Sequence, residues 1–271
     1  MMDTTQPSLV SAWHSRRLAR SSNMRFAAYT VLALLVVHAI AFFLHEYSHA
    51  TLAWLLGFKS NPLALHYGHF DLSNILLQQD IDENVDYKPI FAGGHGFEAG
   101  LIAMAGVTIG NALLYVVVAA ILTWRAARMR PAVMLFLFWL AVVASANLWS
   151  YAPIRTLTNH ADMATAARGF GISTWTLFPF VVVPSLLACW HLFARLLPEV
   201  LRRTCGNDPL RGAFVAAVAC AIFFGFYGCP SIGGDYGNIS AVFSILSIFA
   251  ALPLMIMATL PMSGLDGRTA G

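Results

Sequence analysis

The sequence predicts an all-α polytopic membrane protein with about six transmembrane helices, and three observations predict it. Hydrophobic residues make up 58% of the 271-residue chain and charged residues only 11%, against about 25% charged in an ordinary soluble domain. Six charge-free windows, 26–44, 99–124, 131–154, 172–194, 212–234 and 236–265, reach or approach the roughly 20 residues that cross a bilayer. The windows are continuous apolar runs without period-two alternation, and hydrocarbon offers backbone groups no hydrogen-bond partner. Each therefore reads as a helix.

The first run continues through Trp54 and Leu56 to Gly57 with no small-residue cleavage site, so it is expected to be a retained helix and not a leader. Residues 1–24, polar and rich in Ser and Arg, are expected to form a flexible or interfacial arm. Residues 25–171 then form a core of three membrane helices with their loops, and 172–271 hold accessory helices and a tail. The loop from Phe58 to about Glu98 is long and acidic. Within it "LALHYGHFDLSNILL" suggests a short strand or hairpin at the interface, and "AGGHGFEAG" a glycine-rich hinge into the second helix.

Loop charge predicts orientation, because cytoplasmic loops are enriched in Lys and Arg. Twelve of the sixteen basic residues fall on one side: Arg16, Arg17, Arg20, Arg25, Arg125, Arg128, Arg130, Arg195, Arg202, Arg203, Arg211 and Arg268. Lys59, Lys88, Arg155 and Arg168 fall on the other. Both termini are thus expected in the cytoplasm, with the chain in the cell membrane. The net charge of +3 is dispersed over these loops and suggests no nucleic-acid partner. Cys189, Cys205, Cys220 and Cys229 form no CxxC pair and read as free thiols.

The chemistry concentrates in "FFLHEYSHATLAWL", where His45, Glu46 and His49 spell H-E-x-x-H inside an apolar helix. Positions i and i+4 share a helix face, so both imidazoles can hold one Zn²⁺ while Glu46 serves as base to a water molecule. An ionisable group in a membrane helix costs roughly 2.5 to 3.5 kcal/mol on insertion scales. Glu46 therefore needs a partner, and a zinc site supplies one. A catalytic zinc takes a third protein ligand. The candidates are Asp162, His160 two residues before it, and His66, His69, His95 and Glu98 in the long loop. Pro153 interrupts the third helix, which runs in the same direction as the first, and this leaves Asp162 at the depth of the histidines. His38, seven residues before His45, reads as packed or hydrogen-bonded between helices, and the H-x-x-H of His66 and His69 as an interfacial feature.

Three blocks, "HEYSH" at 45–49, "AGVTIGN" at 105–111 and "NLWSYAPIRTLTNHADM" at 147–163, resemble the site-2 protease (M50) family of intramembrane zinc metalloproteases. The resemblance covers the first three helices and none of the rest. It implies zinc ligation by His45, His49 and Asp162, catalysis by Glu46, and substrate positioning by Asn111 and Asn147. Val107 stands where that family commonly has proline, and Asn147 and Asp162 lie fifteen positions apart with Met163 following. The charge rule also sets the site towards the outer face, whereas better-known members open theirs to the cytosol.

The expectation is an intramembrane zinc protease that hydrolyses a peptide bond in or near a transmembrane segment of a membrane protein substrate. The alternative is a catalytically inactive scaffold or regulator of the same build. A di-iron hydroxylase would need about eight clustered histidines, whereas the nine here are mostly scattered. A transporter would need an inverted repeat or paired broken helices, and neither appears.

Overall fold

The computed structural model describes residues 9–206, 208–233 and 235–263. Six helices are long and apolar enough to cross a membrane. They are α1 (Leu9–Leu55), α4 (Gly96–Arg128), α5 (Pro131–Ile154), α7 (Thr174–Thr204), α8 (Pro209–Phe226) and α9 (Asn238–Met262). Three short helices lie between them: α2 (Leu72–Leu77), α3 (Tyr87–Ala92) and α6 (Ala161–Gly169). No strand occurs among the described residues. α1 already begins at Leu9, so residues 9–24 of the expected arm continue the first membrane helix; residues 1–8 lie outside the described part of the chain.

The core is built around α5, the most buried of the six spans. Phe138, Trp139, Leu135 and Met134 on it are sealed from the surface, and Phe223 and Phe224 of α8 belong to the same buried core. Trp149, near the far end of α5, packs on both phenylalanines and donates its indole N–H to Ser247 Oγ at 2.9 Å. Large apolar side chains such as Leu32, Leu35, Val116, Leu187, Phe249 and Met257 face outward. In water such a surface would drive aggregation, whereas in a bilayer it is the expected contact with lipid.

The long loop does not form the expected hairpin. A single antiparallel bridge joins His66 to Asp82, and the segment between folds otherwise. Asp71 accepts the Asn74 backbone N–H at 2.8 Å and so starts α2, because a capping carboxylate satisfies helix donors that a strand would have paired elsewhere. The buried Asn74 side chain then fastens the loop: it donates to the Tyr67 and His69 carbonyls, each at 2.8 Å, and accepts from the Asp80 N–H at 3.1 Å. The glycine-rich stretch turns the chain from α3 into α4, with Gly94 at φ +81°.

α5 ends where expected. Ala152, just before Pro153, leaves helical geometry at φ −142° and ψ 111°, and α6 begins seven residues after the span ends. The backbones of α6 and α4 meet at Gly169 and Gly100, where a Cβ on Gly169 would lie 2.5 Å from the Gly100 nitrogen. This contact carries Asp162, in the first turn of α6, towards α1.

Candidate metal centre

α1 places His45 and His49 one turn apart on the face turned to α4, both buried, at 4% and 1% exposure. Their Nε2 atoms lie 3.1 Å apart. Asp162 Oδ2 lies 3.4 Å from His45 Nε2 and 3.6 Å from His49 Nε2. These three side chains form the one such metal-ligating cluster among the described residues. Tetrahedral coordination with bonds of 2.0–2.1 Å separates ligand atoms by about 3.3 Å. The three distances match that edge, so the site fits a zinc-sized ion.

The hydrogen bonds of the outer ring nitrogens agree. His49 Nδ1 sits 2.6 Å from the Ile102 carbonyl. A carbonyl only accepts, so Nδ1 carries the proton and Nε2 is free to ligate. His45 Nδ1 sits 2.9 Å from the Asn111 amide nitrogen, and Asn111 Oδ1, fully buried, has no partner among the described residues. The two orientations of a carboxamide are isosteric. Turning this one puts Oδ1 on the His45 Nδ1–H and frees Nε2 for the metal. In the metal-free chain burial opposes ionisation of Asp162, but a proton shared with the adjacent His49 and His45 rings outweighs it and holds the carboxyl well below its usual range.

Glycine makes room for the rings. A Cβ on Gly106 would lie 2.5 Å from His45 Nε2 and closer still to His49 Nε2, and one on Gly110 would lie 2.6 Å from the His45 Cα. Glycine inside a helix costs about 1 kcal/mol relative to alanine. Its use at both places is therefore steric, an instance of close approach by small residues four apart in membrane helices. α4 widens into a π-turn over Gly106–Leu113, a local form common at functional sites.

Glu46, 8% exposed, lines a cavity of about 380 Å³ together with His45, Asn147, Tyr151, Arg155 and Tyr236. Asn147 thus reaches the same cavity as Glu46 and His45. Asn111 instead stands behind His45, where it orients the ring. The other candidates for a third ligand lie elsewhere. His160 stacks on Tyr236 with ring centroids 4.8 Å apart, and its Nδ1 meets Asn159 Oδ1 at 2.9 Å. His66 and His69 pair with Asp82 and Asp80 in the loop, and His95 with Glu98. His38 Nε2 meets the Leu77 carbonyl at 3.3 Å, which leaves Nδ1 to accept from the Tyr227 hydroxyl at 2.7 Å.

Three residues near the centre carried no signal in the sequence. Tyr151 places its hydroxyl 2.9 Å from His45 Nε2. Arg155 lies with Cζ 4.0 Å above the Tyr151 ring. Glu83, in the acidic loop, is close enough to act electrostatically on His49, Asp162 and Glu46, and burial pushes its carboxyl above the usual range. A tyrosine and an arginine at the end of a helix, or one acid among six, have no distinguishing spacing.

No protein-family model matches the chain, and neither does any curated protein or solved structure. The fold and the cluster together define a multi-pass helical membrane protein with a possible metal-binding triad of two histidines and an aspartate.

Proposed function

We propose that the protein is an intramembrane zinc metalloprotease, an endopeptidase acting on a membrane protein substrate in or near one of its transmembrane segments. The observation that carries this reading is the convergence of His45, His49 and Asp162 within a bundle of membrane helices, at the edge of a cavity that His45 and Glu46 line. Two imidazoles and a carboxylate are a donor set suited to zinc. Bound there, zinc supplies Lewis acidity, which lowers the pKa of water and polarises a carbonyl.

The residues divide the remaining work. Glu46 accepts a proton from the attacking water and later hands it to the leaving amine. Asn147 offers its amide to the substrate backbone, which an unwound segment exposes and a helix would hide. Asn111 and the Ile102 carbonyl hold the two imidazoles in the tautomer that ligates. The scatter of basic residues supports a chain seated in the cell membrane with both termini in the cytoplasm.

The test is a comparison of cells carrying the wild-type chain with cells carrying Glu46→Gln, by mass spectrometry of membrane-protein termini. The variant removes the base and keeps the shape. At least one membrane protein is expected to accumulate uncleaved in the variant, with the loss of a terminus inside or beside its apolar segment. Identical termini in both cells contradict the proposal.

A further inference from the structure

Tyr151 touches the centre and has no part in the reaction as described so far. Its hydroxyl lies 2.9 Å from His45 Nε2 and also faces the Asp162 carboxylate. It is therefore set against two of the three converging ligand atoms, on the side of the cavity that Glu46 and Asn147 line. The ring is firmly held. It stacks on the His45 ring with centroids 4.9 Å apart and planes at 20°. The Arg155 guanidinium lies 4.0 Å over it, and Arg155 is anchored by its Nε–H to the Ser150 carbonyl at 3.2 Å.

Once His45 Nε2 and the Asp162 carboxylate both give lone pairs to a metal, the two acceptors beside this hydroxyl are engaged and its proton can turn to a new one. The nearest new acceptor is the oxygen of a peptide carbonyl presented to the water that Glu46 activates. The geometry points to Tyr151 as a further catalytic residue, the hydrogen-bond donor to the scissile carbonyl oxygen as it becomes an oxyanion, with Arg155 as the residue that positions its ring. This rests on the proposed metallohydrolase reading. Water oxygen adds to the carbonyl carbon, and its proton goes to Glu46. The carbonyl π pair moves to oxygen, where Tyr151 donates. The pair then returns as the C–N bond breaks, and the amine leaves with the proton from Glu46. A donor placed where charge develops stabilises the transition state more than the bound substrate, and losing one costs about 10²- to 10³-fold in kcat.

Tyr151→Phe removes one oxygen and keeps the stacked ring. The experiment measures metal content of the purified full chain in detergent, then the Kd of acetohydroxamate on the cobalt-loaded protein by visible absorption, for wild type, Tyr151→Phe and Arg155→Gln. Metal content is expected to be equal in all three, with Kd raised about tenfold in Tyr151→Phe and less in Arg155→Gln, since a charge-assisted hydrogen bond is lost. With a cleavable peptide, kcat should fall while KM changes little. An unchanged Kd in Tyr151→Phe overturns the donor role, and an unchanged Kd in Arg155→Gln overturns the positioning role. Loss of metal from Tyr151→Phe overturns the donor role too, because the hydroxyl would then be a ligand. Wild type that binds acetohydroxamate and cleaves nothing counts against the protease reading alone, and the ratio of Kd values still decides the part played by Tyr151.

Discussion

At the scale of single residues, the centre depends as much on what is absent as on what is present. Gly106 leaves the space that both imidazoles fill, and a methyl group there would overlap His49 Nε2 and lie 2.5 Å from His45 Nε2. Helix propensity alone favours alanine by about 1 kcal/mol, so the helix itself would tolerate the change. Gly106→Ala is expected to leave the helical circular dichroism unchanged and to lower zinc affinity by at least the 10- to 100-fold typical of a disturbed ligand orientation, as read by competition with a chelator. Retained affinity would show that the rings do not pack as described. His45, Glu46 and His49 were legible in the sequence because their spacing matches the helical period. Tyr151, Arg155 and Glu83 were not, because what distinguishes them is proximity created by the fold. Asn111 was expected to touch substrate, and the structure gives it His45 Nδ1 as its neighbour.

At the scale of elements, the third candidate ligand, Asp162, arrives on a helix of its own. α6 is nine residues long, lies outside the spans and is too short to be stable alone. It is held by its contact with α4, closest at Gly169 and Gly100. A larger residue at Gly169 should therefore act on a centre it never touches. Gly169→Val is expected to displace α6 and reduce zinc content to near that of Asp162→Ala, with His45 and His49 untouched; full zinc content in that variant would contradict this path of support. The sequence revealed that Pro153 breaks α5 and that Asp162 follows on the same side, since proline leaves an unmistakable mark. It did not reveal α2. There the apparent alternation in the loop was overruled by the Asp71 cap and by the hydrogen bonds of Asn74, local chemistry that a hydrophobic pattern does not record.

At the scale of the whole molecule, the six spans were the most legible feature, because their length and apolar composition answer directly to the thickness of the bilayer. Each window read from the sequence overlaps one of the helices seen, the fifth running on past the end of α8 at Phe226. Less legible was the way α1, α4 and α6 meet around one cluster of side chains, since a membrane helix carries little pattern to say which neighbour it meets. The candidate centre is a product of that meeting: two candidate ligands come from α1, the third from α6, and the space between them from α4. The measurement that tests this most directly is zinc per chain in the purified protein, compared among wild type, Glu46→Gln, His49→Ala and Asp162→Ala. About one zinc per chain is predicted for wild type and Glu46→Gln, and close to none for the other two, as expected for a centre with three protein ligands. Zinc retained by Asp162→Ala, or absent from wild type, would contradict the account.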